Sequence, residues 1–194
     1  MKPQTKRKKQ AIETKEKIFN CAVALFAQNS YENITVGDIC RGAQVSVGAF
    51  YHHFKNKESI LNEGYHLFDL QLEETWSQHH PANELEAIRF LVAYQMQSMQ
   101  QMGSLASSQY FKNQLTNEEK YILNKERFFY KTIYEMVQRS VNGGSLFGDA
   151  YIITEDILST CRGIIYDWCL HEGSYDLSEK GRRTLDMVLN HYGK

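Results

Sequence analysis

An all-α fold is the class that three features of this 194-residue sequence predict together. Only two prolines, Pro3 and Pro81, break the chain. Apolar residues recur at intervals of three and four, the signature of helices with one buried face. No segment shows the two-residue alternation of a half-buried strand. With 42% hydrophobic and 23% charged residues the composition is that of a packed globular protein, not of a disordered one.

Taken in order, residues 1–9 read as a basic, mobile arm carrying Lys6, Arg7, Lys8 and Lys9. A first helix is expected from Gln10 to Asn29, with apolar residues at 12, 18, 19, 22, 23, 25 and 26. Thr35, with Asp38 three places on, forms a variant of the capping box and opens a short helix through Gly42. Ser46 can cap a second short helix through Phe54, and a longer one is expected from Lys57 to His79. Two short helices joined by a tight turn and braced by a longer one make a helix-turn-helix. Asn83 then caps a helix from Glu84 to Met102, and a shorter helix follows Gly103-Ser104 to Leu115. Thr116-Asn117-Glu118-Glu119 resembles a capping box for a long helix to Val141. Asn142-Gly143-Gly144 stops it, and two helices, 154–171 and 177–192, close the chain. The organisation expected is therefore an arm (1–9), a helix-turn-helix domain (10–60) and a helical regulatory and dimerisation domain (61–194).

Net charge is −1 for the whole chain, but residues 1–60 hold ten Lys/Arg and five Asp/Glu, a balance of +5. A basic head on an acidic body is the asymmetry expected where one end meets a polyanion. Within that head, VSVGAFYHHFKNKESI carries the chemistry (residues 45–60). Phe50 and Phe54 lie one turn apart and can point inward, leaving Val47, Gly48, Tyr51 and His52 on the opposite face with Ala49 and His53 at its edges. The Ser46 and Tyr51 hydroxyls can bond phosphate oxygens, Lys55 and Lys57 supply positive charge, and Gly48 lets the backbone approach another surface. His52 can donate or accept at a base edge, and a helix of this length suits the major groove.

ITVGDICRGAQVSVGAFYHHFKNKESIL resembles the helix-turn-helix of TetR-type transcriptional regulators, and the likeness covers about Lys15 to Leu61. The matching elements are Ile34-Thr35-Val36, Ile39-Cys40, Val45-Ser46 with Gly48 and Tyr51, and then His53-Phe54, Lys57-Glu58 and Leu61. The resemblance implies that Thr35, Ser46, Tyr51 and Lys57 face phosphates while Val47, Gly48, Ala49 and His52 meet bases. It implies a homodimer on a palindromic double-stranded DNA operator, a regulatory domain that takes a small-molecule effector, and the role of a repressor. Three positions depart from the family pattern: Gln44 stands where the turn usually has glycine, Val47 where a polar residue is common, and Ala49 where Thr or Ser is common.

The last two helices carry apolar stripes of Ile157, Cys161, Ile164, Ile165 and Trp168, then Leu185, Val188 and Leu189. Such stripes serve an internal core, and they also suit the two-fold pairing that the resemblance implies. The central region is rich in aromatics and methionine, and Tyr65, Tyr94, Tyr110, Tyr130 and Tyr134 are the candidates to line a pocket for a largely apolar ligand.

Other classes fare worse. There is no glycine-rich phosphate loop, G-x-S-x-G or H-E-x-x-H, and Asp167 beside Trp168 is better explained by a hydroxyl or Arg partner than by catalysis. Cys161, Cys169 and His171 share a neighbourhood without the ligand spacing of a metal site, so a metal- or redox-responsive regulator is the lesser reading and no cofactor is expected. An activator of the same fold stays open. A helical adaptor that binds only protein is disfavoured by the basic head. No apolar run is long enough to cross a membrane and no signal peptide is visible, so a cytoplasmic protein without a membrane partner is expected.

Overall fold

The computed structural model describes residues 6–118 and 120–193, the side chains of residues 6–9 excepted. Among them are nine α-helices and no strand. They are α1 (Lys6–Gln28), α2 (Val36–Ala43), α3 (Val47–His53), α4 (Lys57–Gln78), α5 (Glu84–Met102), α6 (Ser104–Thr116), α7 (Phe128–Asn142), α8 (Ala150–Leu170) and α9 (Leu177–Tyr192).

Four boundaries differ from expectation, each for a local reason. Helix α1 starts at Lys6, so the cluster Lys6-Arg7-Lys8-Lys9 is helical; Lys, Arg and Gln are good helix formers and nothing among them breaks the turn. The rest of the expected arm, residues 1–5, lies outside the described residues. Thr116 does not cap a following helix: it ends α6, and its hydroxyl donates back to the Lys112 carbonyl at 3.0 Å. Helix α7 therefore begins only at Phe128, directly after Arg127, which Asp69 of α4 holds in place. Among the described residues between them is a 3-10 turn, Tyr121–Leu123, whose Ile122 N–H donates to Gln114 at 2.9 Å. Helix α8 begins at Ala150, before the predicted residue 154, because the Asp149 carboxylate accepts from the Tyr151 and Ile152 amides at 2.8 and 3.0 Å.

Two apolar cores hold the molecule. The head core joins Ile18, Ala22 and Phe26 of α1 with Ile39 of α2, Phe50 of α3 and Ile60 of α4. It does not stop at residue 60: Leu61, Tyr65, Ala106 and Tyr110 belong to it, so α4 and α6 tie head to body. The Lys112–Glu32 ion pair, 2.6 Å, spans the same junction. The body core is built from α5, α7, α8 and α9, with Leu72 arriving from α4.

That second core settles where the predicted pairing residues lie. Ile157, Cys161, Ile164, Ile165, Trp168, Leu185 and Leu189 are all buried within their own subunit, and Val188 packs half-buried against them. The α8 and α9 stripes face α5 and α7, because an isolated pair of helices would leave those side chains in water. Asp167 has the hydroxyl partner expected of it, Tyr175, whose O–H donates at 2.7 Å; the carboxylate is half exposed, not buried.

Candidate nucleic-acid interface

The candidate reading helix α3 follows a capped α2 and has a cap of its own at its start. Thr35 and Asp38 form the predicted capping box: Asp38 N–H donates to Thr35 Oγ1 at 3.1 Å, and Thr35 N–H donates to Asp38 Oδ2 at 2.9 Å. The Thr35 hydroxyl also donates to Asp38 at 2.6 Å, and these bonds hold the Asp38 carboxyl below its usual range. Gln44, the residue in the glycine position of the turn, takes the left-handed conformation (φ 55°, ψ 45°). Ser46 then caps α3, its Oγ accepting from Ala49 N–H at 3.1 Å.

Phe50 and Phe54 anchor α3 inward, 5.8 Å apart and nearly inaccessible to solvent. The opposite face is open: Val47 is 50% and Tyr51 56% exposed, with Ser46, Gly48 and His52 beside them. A methyl built on Gly48 would meet only Ser46 Oγ, at 3.9 Å, so nothing inside the subunit requires a glycine there. Ala49 and His53 sit half-exposed on the flanks, and Lys55 projects into solvent. Burial first, then the neighbouring His52 and Lys15, pushes the His53 pKa down, and the two imidazoles lie edge-to-face at 5.0 Å.

One predicted phosphate contact is tied up. Lys57 Nζ donates to the Tyr31 and Ile34 carbonyls at 2.6 and 2.8 Å and lies 4.0 Å over the Tyr31 ring. Its ammonium thus fixes the loop that carries Thr35 and the start of α2 to the first turn of α4. Partial burial lowers its pKa against the pull of Glu32 and Glu58. The start of α4 is capped instead by a feature the sequence reading missed, a reciprocal box of Asn56 and Ser59 with Ser59 N–H donating to Asn56 Oδ1 at 2.9 Å.

Behind the head, α1, α4, α5, α6 and α8 line a partly open cavity of about 170 Å³. Tyr65 and Tyr110 line it, as expected. Tyr94, Tyr130 and Tyr134 do not: Tyr94 packs edge-on against Phe68 at 5.5 Å, Tyr130 donates to Glu155 at 3.1 Å beside a smaller void, and Tyr134 pairs with Gln138 on the surface of α7. Helical spacing placed all five on apolar turns but could not say which neighbours face each. The cavity wall includes residues that spacing did not single out, Gln95, Gln71 and Arg127. Gln95 follows Leu91 and Val92 by one turn on α5, a polar side chain on an otherwise apolar stripe and the one hint available.

Residues 18–63 match the model of a family described as bacterial regulatory proteins, tetR family. The head of this chain is thus similar to the N-terminal, DNA-binding segment of that family. Over 193 residues the chain is 26% identical to the probable acrEF/envCD operon repressor of Escherichia coli K12, covering 94% of this chain and 88% of that one. Its fold is shared with a solved structure described as the molecular basis for control of antibiotic production by bacterial hormones (TM-score 0.75, 18% identity, 94% and 99% of the two chains). A SmeT–triclosan complex is also similar in fold (TM-score 0.61, 21% identity, 94% and 92% of the two chains). The curated relatives it matches are described as transcriptional regulators or an operon repressor. No described helix is long and apolar enough to cross a membrane, and no three His, Cys, Asp or Glu side chains among the described residues group to hold a metal. Cys161 and Cys169 are protonated thiols at neutral pH, pushed by burial up to about 12 and about 11.

Proposed function

We propose that the protein is a repressor that binds a palindromic operator as a homodimer and lets go when a small, mainly apolar molecule enters the cavity behind the head. The outward face of α3 carries this reading: a helix capped by Ser46 and anchored by Phe50 and Phe54 leaves Ser46, Val47, Gly48, Tyr51, His52 and Lys55 exposed. Seven residues of helix fit the major groove, with Ser46 and Tyr51 on phosphates and His52 at a base edge. Val47 and Ala49 are apolar where polar readers are common, so contact with thymine methyls takes a larger share of the readout. Lys55 supplies the cationic contact next to the helix, while Lys57 positions the loop before α2. The repressor name of the Escherichia coli relative supports the direction of control, and the SmeT–triclosan complex supports response to a small ligand.

Pairing falls to the outer faces of α8 and α9, since the inner faces are buried. Ile152 (54% exposed), Ser159, Gly163, Tyr166 (50%) and Leu170 (64%) share one stripe of α8, and Met187 (66%) stands out from α9. Gly163 sits mid-helix with open space around it, where glycine costs about 1 kcal/mol relative to alanine. A second copy crossing closely at that point gives the glycine a reason. Two heads then meet successive turns of duplex, about 34–36 Å apart.

Signalling is geometric. Tyr65 and Tyr110 belong both to the cavity wall and to the head core, so a ligand that displaces them tilts α4 and α6 and changes the separation of the heads. Genomic fragments selected by the purified protein, followed by anisotropy titrations of wild type and Tyr51→Ala, test the reading. Selection of a palindrome bound at least tenfold more weakly by Tyr51→Ala supports it; retention of genomic DNA without sequence preference, equal for both proteins, overturns it.

A further inference from the structure

The chemistry of the cavity wall narrows what can enter it. Tyr110 is only 3% exposed, yet its hydroxyl has no hydrogen-bond partner among the described residues, and the same holds for Gln95 Oε1. Both side chains line the same cavity. Buried polar groups are rarely left without partners, because each then loses its water without replacement. Gly64 completes that wall: a methyl there would lie 1.9 Å from the Tyr110 oxygen, so a glycine is what lets the hydroxyl reach this position.

Charge is the second constraint. Among the described residues Arg127 is the one charged side chain on the wall, and it is already matched, donating to both Asp69 oxygens at 2.8 and 3.0 Å in a pair whose side chains are 12% and 14% exposed. Among the described residues no carboxylate lines the cavity to receive a cation. An anion would have to displace Asp69 from Arg127, and a buried unpaired charge of either sign is costly. Size is the third constraint. An engineered apolar cavity of about 150 Å³ in another protein admits benzene, so about 170 Å³ suits one substituted ring.

Resting on the ligand-responsive reading above, we propose that the effector is an uncharged, largely apolar molecule about one substituted ring in size. It carries a hydroxyl group that accepts a hydrogen bond from Tyr110 and donates one to Gln95. Phenols and compact cyclic alcohols are the class. The apolar body of such a molecule lies against Phe68, Met99 and Phe111. Because Tyr110 also sits in the head core, the group that recognises the hydroxyl is one that reports occupancy to the DNA-binding end.

Calorimetry on the full chain with 4-ethylphenol, ethylbenzene, 4-ethylbenzoate and 4-ethylbenzylammonium tests this. The phenol should bind at least fivefold tighter than ethylbenzene and tighter than either ion. Tyr110→Phe should weaken the phenol about five- to tenfold, the effect of one lost hydrogen bond, and leave ethylbenzene within about twofold. Gln95→Met, a variant of similar volume, should do the same if Tyr110→Phe fails to fold. The proposal is overturned if either ion matches the phenol, if both variants keep the full preference, or if none of the four binds. Operator titrations with the same proteins separate the two readings. Release of operator by some other compound when these four fail sinks only the effector chemistry, whereas failure to bind any operator sinks the regulator reading while the calorimetric preference still stands or falls alone.

Discussion

Gly48→Ala should make the subunit more stable and a worse DNA binder. Gly48 is the second residue of α3, and alanine there removes part of the entropy cost of a helical glycine, about 0.5–1 kcal/mol. The added methyl meets only Ser46 Oγ at 3.9 Å, an ordinary contact, so no clash offsets that gain. For a domain of this size the gain corresponds to a rise in Tm of about 1–4 °C. On DNA the sign reverses. If the backbone of α3 rests against the groove at Gly48, a methyl in a fully packed contact costs about 1–3 kcal/mol, a loss of roughly five- to 150-fold in affinity. The assay is a thermal melt alongside anisotropy on the selected operator at one fixed salt concentration. A variant that melts higher and binds operator as well as wild type refutes close approach at Gly48. One that melts lower refutes the claim that the subunit leaves the site empty.

Other perturbations separate roles that sequence alone merges. Lys57→Met should lower stability by about 1–2 kcal/mol by leaving the Tyr31 and Ile34 carbonyls without their donor, while the slope of log K against log salt stays unchanged. A slope reduced by about 0.9 per site would instead put Lys57 on a phosphate. Gln44→Gly should stabilise the protein by about 1 kcal/mol by relieving a left-handed residue that has a side chain, seen as a higher melting temperature; an unchanged or lower one would mean the Gln44 side chain compensates. Gly163→Arg should leave the helical signal intact and convert a dimer to a monomer in sedimentation analysis, because the position is open within the subunit. Persistence of the dimer would place pairing elsewhere.

Much of the head was legible because its signals are local. The Thr35–Asp38 box, the Ser46 cap and the inward pair Phe50 and Phe54 each depend on residues within one or two turns. The resemblance to TetR-type regulators rested on those positions, and the match over residues 18–63 falls on them. The inward bonds of Lys57 were not legible because its partners, Tyr31 and Ile34, come from another segment 26 and 23 residues away. The Thr116 region was misread for a similar reason: a good local capping pattern lost to the Arg127–Asp69 pair, which joins residues 58 apart and sets where α7 begins.

By itself the sequence determined which residues turn, cap and present themselves on α3, since capping and helical periodicity are written within a few residues of one another. It also determined that α8 and α9 have apolar stripes. Only the tertiary structure decided that those stripes meet α5 and α7 inside the subunit, and that Tyr65 and Tyr110, but not Tyr94, Tyr130 or Tyr134, face a cavity. Period and spacing name the face of a helix, and the neighbour across that face is chosen by packing among segments far apart in the chain.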